Sequence, residues 1–307
     1  MPVPQPSVFI DGEAGTTGLG IRARLAGLPV RLRSLPDNRR KDPAARLALM
    51  AEVDLVILCL PDTAAREAVV AAEGLGDRCA RLLDASSAHR TEPGWIYGFA
   101  ELGRAQPTRI AAARRVSNPG CYATGAVALL HPLIAAGLLP PDYPVSINAV
   151  SGYSGGGRSM IEAHEAAGGP AFEMYGLELD HKHLPEIALY AGLDRRPIFV
   201  PSVGHFAQGM LVSIPIHLDL LPGRPSGADL RAALAEHYRG SGVRVSPGGA
   251  APLQPDRAAG SDALDLYVFA GEAARQAVLV ARLDNLGKGA SGAAVQNLLL
   301  MLGLSDG

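Results

Sequence analysis

A chain of 307 residues with 48% hydrophobic and 19% charged residues holds more apolar volume than one ordinary core and fits two globular domains. Its formal net charge of −2 leaves no electrostatic footprint for nucleic acid or an anionic membrane. Cys59, Cys79 and Cys121 are too widely spaced to staple the chain or form a paired metal motif, so reduced thiols and a soluble, cytoplasmic protein are expected.

Met1 to Pro6 carries neither basic residues nor a long apolar run and is unlike a secretory leader. Ser7 to Asp11 reads as an apolar strand, Gly12 to Gly18 as a glycine-rich turn, and the stretch through Leu25 as a helix. Strands at Val30 to Leu35 and Val53 to Leu60 then alternate with helices at Pro43 to Met50 and Ala64 to Glu73. Short strands at Arg81 to Asp84 and Ile110 to Val116 complete the pattern, which predicts a parallel sheet with right-handed crossovers. Ser117-Asn118-Pro119-Gly120 forms a tight turn, and a helix-like run from Tyr122 to Ala136 follows. Beyond it, strand-like runs at Val145 to Ser151, Ile198 to Val203, Gln208 to Leu218, Val243 to Val245, Leu264 to Ala270 and Ala277 to Leu283 predict a mostly antiparallel sheet. Ser246 to Asp262 reads as a long loop and Ala290 to Leu302 as an apolar helix. The fold class expected is therefore α/β. A Rossmann-type dinucleotide domain spans 1–118, an α+β catalytic and oligomerisation domain spans 119–285, and the terminal segment 286–307 packs as a helix back onto the first domain.

Five stretches carry chemistry. Gly12, Gly15 and Gly18 let backbone N–H groups approach a phosphate at a helix start, a variant of the dinucleotide fingerprint. The second strand ends at Ser34 with no acidic residue for a ribose hydroxyl, while Arg39, Arg40 and Lys41 follow. That favours NADP over NAD, against the alternative of an ordinary solvated basic turn. Cys121 stands at a helix start, where unpaired N–H groups and the helix dipole favour a thiolate nucleophile; the competing reading is inert core filler.

Asp180-His181-Lys182-His183-Leu184-Pro185-Glu186 offers an imidazole acid/base. A metal site of His181, His183 and Glu186, completed by His164 or His205, is the competing reading, though it matches no standard zinc spacing. Ser151 to Arg158 ends a glycine-rich loop in a guanidinium suited to a carboxylate or phosphate, or is simply a flexible hairpin. Asp284 to Gly292 is a further glycine-rich turn. It holds Lys288, one of only three lysines in the chain, which points to a role near the cofactor.

These stretches, with Asp84-Ala85-Ser86-Ser87-Ala88-His89-Arg90 and Tyr97 to Leu102, resemble the short form of the N-acetyl-gamma-glutamyl-phosphate reductase family. Its fold relatives are the aspartate-semialdehyde and glyceraldehyde-phosphate dehydrogenases. The resemblance runs nearly end to end and implies NADPH-dependent reduction of a small-molecule acyl phosphate through a cysteine thioester, in arginine biosynthesis. By it Cys121 is the nucleophile and His181 the acid/base, with His183 open for the same role. Asn118, Ser154, Arg158, His183 and Glu186 would hold the substrate. Gly12, Gly15, Thr16, Thr17, Gly18, Ser34, Arg39, Pro61, Ser86, Asn285 and Lys288 would hold NADP. The resemblance also implies a homo-oligomer, dimer or tetramer, while the net charge and the ligand spacing predict no nucleic-acid or membrane partner and no metal. The short connection between Val30 and Ala51 departs from the longer family form. The alternatives are a related reductase acting on aspartyl phosphate or carrier-bound aminoadipyl phosphate, and a non-enzymatic NADP-binding redox sensor.

Overall fold

The first strand, β1 (Ser7–Asp11), is buried along its whole length, its three apolar middle residues suiting a strand covered on both faces. In the computed structural model, which describes residues 5–248 and 252–304, its side chains still alternate between two layers. Val8 and Ile10 meet Ile21 and Leu25 of α1 (Thr16–Leu25), together with Leu298 and Met301 of α9 (Gly292–Leu302). Phe9 meets Leu49 and Met50 of α2 (Pro43–Met50) and Val69 of α3 (Asp62–Glu73) on the other side. The remaining strands of this unit are β2 (Arg31–Arg33), β3 (Leu55–Leu58), β4 (Arg81–Asp84), β5 (Ile96–Tyr97) and β6 (Arg115–Ser117). They form an all-parallel sheet in the order β2-β1-β3-β4-β6-β5. The order reverses between β1 and β3, which opens a crevice at their carboxyl ends.

This unit comprises Met1–Ala100, Arg104–Pro119 and Ala290–Gly307, and the other comprises Glu101–Gly103 and Gly120–Gly289. One predicted strand is corrected: Ile110 belongs to α4 (Gln106–Ala112), whose first turn accepts Pro107, and strand pairing begins only at Arg115. A short apolar run does not distinguish strand from buried helix by its period. The terminal segment is corrected likewise: Gly287–Ser291 forms a π-helical turn, and α9 starts at Gly292.

The second unit is built on α5 (Cys121–Ala135), a helix buried almost all round. Its seven-stranded sheet contains β7 (Ser146–Gly152), β8 (Phe172–Met174), β9 (Ile198–Gly204), β10 (Met210–His217), β11 (Val243–Val245), β12 (Leu264–Gly271) and β13 (Gln276–Leu283). The order is β11-β12-β13-β10-β7-β9-β8, antiparallel except for the pairs β11–β12 and β7–β9. Gly125 lets α5 lie on the sheet, since a Cβ there would come within 2.8 Å of Val212. Three helices complete the unit: α6 (Arg158–Ala167), α7 (Leu184–Ala191) and α8 (Gly227–His237). The sequence reading left α6 and α8 unassigned, although α8 carries a legible start, a capping box between Ser226 and Asp229. The long loop holds a 3-10 turn at Pro255–Ala258 and a bond from Gly260 N–H to Asp284; residues 249–251 of it lie outside the described residues.

Pro132 inside α5 has no N–H to give the carbonyl of Ala128, four residues earlier. The Tyr238 hydroxyl donates to that carbonyl at 2.9 Å, so the orphaned acceptor is satisfied in the core. Next to it, His131 packs edge-on to His237 with ring centroids 5.6 Å apart. Burial, and then the neighbouring His237, push the His131 pKa below 6.5. The unfolded chain therefore takes up this proton first, and stability is lost as pH falls below 6.5. We expect thermal melts of a His131→Asn variant to show a shallower loss of stability between pH 6.5 and 5 than the parent, about ordinary histidine titration.

Candidate functional site

The crevice at β1 and β3 begins with a glycine that nothing else can replace. Gly12 has φ +90°, and a Cβ there would overlap the Cys59 carbonyl at the end of β3. The Gly15 N–H closes the turn on Gly12 O at 3.0 Å, and a Cβ on Gly18 would fall 2.7 Å from the same oxygen. Gly15 caps α1, so the first-turn N–H groups of Thr16, Thr17 and Gly18 lie at a helix end that attracts anions. A cavity of about 600 Å³ opens here, lined by Asp11, Gly12, Gly15, Arg40, Lys41 and Pro61 among others. Asp11 accepts a two-pronged bond from Arg46, at 2.9 and 2.6 Å, while burial raises its pKa against that partner. These features fit a dinucleotide: a cradle that any side chain would fill, a helix start, and two cations on the rim.

The predicted cofactor residues separate. Arg40 and Lys41 line the cavity, whereas Arg39 turns to Asp42 at 3.0 Å and does not; Ser34 is exposed beyond its lining. Pro61 lines the cavity and precedes α3. Ser86 is buried, its hydroxyl and N–H both bonded to Asp84, which also holds His89 at 2.6 Å. Asn285 and Lys288 belong to the second unit. The Asn285 amide donates to Ser154 Oγ at 2.9 Å and accepts from Gly209 N–H at 2.9 Å, while Lys288 is buried against Glu101 at 2.7 Å.

Asn118, expected to touch substrate, sits at a junction of hydrogen bonds. It is 2% exposed, and its amide donates to Ala290 O and accepts from Asn297 of α9, at 3.0 and 3.1 Å. Its backbone N–H donates to Asp84 O at 2.7 Å, and its carbonyl accepts from Arg90 at 3.0 Å.

The thiol lies in the second unit. Cys121 is the first residue of α5, half-buried, with Gly120 as the N-cap. That start is one residue earlier than the sequence reading placed it, and it puts the sulfur within the field of the helix terminus. Gly289 must be glycine to make room, because a Cβ there would stand 2.8 Å from the Cys121 Cβ. The sequence reading missed this partner, although its turn had been singled out. Around the adjacent Tyr122 ring gather His181 and His183, with centroids 6.0 and 5.9 Å away, and Tyr175 lies 5.8 Å from His181. Nδ1 of His181 accepts the His183 N–H at 3.1 Å, so the neutral ring carries its proton on Nε2.

Burial, with a smaller contribution from Cys121, raises the pKa of both tyrosines, Tyr175 to about 12. Both hydroxyls therefore remain donors, Tyr175 to Tyr122 at 3.3 Å and Tyr122 to Ser202 O at 3.0 Å. Tyr175 was not foreseen, though it sits six residues before His181 in the same polar run. Glu186 is buried and accepts the Gly120 N–H at 3.1 Å. Arg158 is exposed at the first position of α6, and Ser154 is buried against Asn285. Among the described residues no group of three or more His, Cys, Asp or Glu side chains is arranged for a metal ion. None of the described helices is long and apolar enough to cross a membrane.

Residues 121–285 match the family described as "Semialdehyde dehydrogenase, dimerisation domain". The chain is 56% identical to N-acetyl-gamma-glutamyl-phosphate reductase 2 of Pseudomonas putida, covering 97% of each protein. It is 53% identical to the N-acetyl-gamma-glutamyl-phosphate reductase of Chelativorans sp., over 96% of this chain and 97% of that one. Among solved structures, aspartate semialdehyde dehydrogenase II of Vibrio cholerae, complexed with ASA, aligns over 98% of this chain and 99% of its own with a TM-score of 0.72 and 16% identity. The Candida albicans aspartate semialdehyde dehydrogenase with NADP aligns over 97% and 98%, with a TM-score of 0.65 and 13% identity. At those identities the two structures establish the shared fold.

Proposed function

The chain belongs to the N-acetyl-gamma-glutamyl-phosphate reductase family, and from that membership we propose that it reduces N-acetyl-gamma-glutamyl phosphate to N-acetylglutamate 5-semialdehyde and phosphate, with NADPH as reductant. The observation that carries the reading is the half-buried Cys121 at the start of α5, with the His181 and His183 pair packed around the neighbouring Tyr122. The thiolate attacks the acyl carbon, and the carbon–oxygen bond to phosphate breaks, leaving a thioester on Cys121. First-turn N–H groups of α5 stabilise the oxyanion; that of Gly120 is already committed to Glu186. When bound, NADPH supplies the hydride that reduces the thioester. His181 donates a hydrogen bond from its Nε2–H to the resulting oxyanion, which collapses as the carbon–sulfur bond breaks, releasing aldehyde and thiolate. Arg158 supplies a positive charge for the substrate's carboxylate or phosphate.

Arg40 and Lys41, rather than Arg39, are the cations we assign to the adenosine 2′-phosphate. Removing one charged hydrogen bond costs about 1.5 to 3 kcal/mol, so Arg40→Ala is expected to lower kcat/KM for NADPH about tenfold or more while sparing NADH. Steady-state kinetics with both cofactors checks it.

Oligomerisation belongs to the second unit. A groove of about 420 Å³ on its sheet is lined by Val150, Phe172, Met174, Val200, Leu211 and Phe269 among others, with Phe172 57% and Met174 49% exposed. We assign this face to a second copy of the chain, in keeping with the dimerisation domain it matches. The three free cysteines accord with a cytoplasmic setting.

The deciding experiment is NADP reduction with N-acetylglutamate semialdehyde, with and without inorganic phosphate. Phosphate-dependent turnover that exceeds turnover with aspartate semialdehyde is the expected result. Its absence with every semialdehyde, despite NADP binding, would leave only the redox-sensor alternative.

A further inference from the structure

Glu186 is 1% exposed in the first turn of α7, and one of its oxygens serves the nucleophile's helix. Oε2 accepts the N–H of Gly120, the residue that caps α5, at 3.1 Å. Oε1 lies 3.9 Å from Nε2 of His183, whose backbone N–H in turn holds Nδ1 of His181. One carboxylate thus joins the turn before Cys121 to the double-histidine segment. The substrate proposed above carries a carboxylate and an acyl phosphate, and its nitrogen is capped by an acetyl group, so it presents no cation. A buried anion repels such a molecule.

We propose that Glu186 is a positioning residue rather than a substrate-holding one: it fixes the turn ahead of Cys121 and, as an anion at the N-terminus of α5, offsets part of the field that ionises the thiol. A helix start alone drives a cysteine toward the thiolate, and thiolates are alkylated and oxidised indiscriminately. A carboxylate at the same terminus holds the sulfur back. Among the described residues, the ionisable groups that face this turn are Tyr122 and Tyr175, both coupled to Cys121; His181 and His183, packed on the Tyr122 ring; and Lys288, next to Gly289 in the chain and paired with Glu101. The inference rests on the acyl-phosphate reading only for the substrate's charge.

The test is alkylation of Cys121 by iodoacetamide against pH in the full-length Glu186→Gln variant, read by peptide mass so that Cys59 and Cys79 are resolved. Glutamine keeps an acceptor for the Gly120 N–H and removes the charge. The expected result is a midpoint about one pH unit lower, hence alkylation near neutrality roughly tenfold faster. KM for the acyl phosphate should stay within about threefold, as for a group that does not bind substrate. In Glu186→Ala the acceptor is lost too, and kcat should fall by about 10²-fold, the scale of a nucleophile displaced by 1 Å. An unmoved alkylation profile in Glu186→Gln would overturn the proposal, whatever KM does. A parent enzyme with no phosphate-dependent activity would instead strike the proposed reaction and leave the alkylation shift standing.

Discussion

Replacing Cys121 by serine is expected to lower phosphate-dependent NADP reduction by about 10⁴-fold or more, the scale seen when a covalent nucleophile is removed. The field at the start of α5 brings a thiol within reach of ionisation, but a hydroxyl lies many pH units too high to follow. The oxygen ester that serine would form is also a poorer hydride acceptor than a thioester. NADP affinity, measured by fluorescence titration, should stay at the parent value, because the cavity-lining residues belong to the other unit. Retention of near-normal turnover would rule out covalent catalysis.

Gly289→Ala should be nearly as damaging without touching any reacting group. The added methyl would stand 2.8 Å from the Cys121 Cβ and 3.0 Å from Asp284 O, inside contact distance on two sides. The turn is also tied down, with Gly289 N–H bonded to Asp284 O at 2.9 Å and Asp284 accepting from Gly260 and Leu286. Overpacking of this kind costs about 1 to 3 kcal/mol, and the sulfur absorbs part of it by moving. A displacement near 1 Å is expected to cut kcat about 10²-fold. Gly103→Ala, where a methyl meets nothing within 4 Å, is the matched control. Single-turnover acylation separates the two variants, and equal rates would show that the turn yields rather than the nucleophile.

The parallel sheet was readable because its central strands have apolar middles and its helices follow at a regular pace, so that β1, α2 and β4 fall where their residue patterns put them. The glycine turn and Cys121 were readable for a related reason: each is a local requirement, a positive φ or a helix start, that a short motif states outright. What escaped was long-range. Nothing local to Asn118 reveals that Asn297, 179 positions on, uses its side-chain acceptor. The run from Asp37 to Asp42 is local, but its pairs, Arg39 with Asp42 and Arg40 with Asp37, do not say which of its cations line the cavity. Gly289 looks like one glycine among several until α5 is laid beside it. The helix α4 was lost to a strand because Ile110 satisfies either period.

The apolar layer beneath β1 draws Ile21 and Leu25 from early in the chain but Leu298 and Met301 from its far end. During synthesis that side of the amino-terminal sheet is therefore covered only in part, by α1 and α4, until the second unit has been translated and α9 follows. A ribosome-bound chain stalled after residue 285 should expose Val8 and Ile10 to chaperones and proteases, and protection should arrive only once α9 emerges.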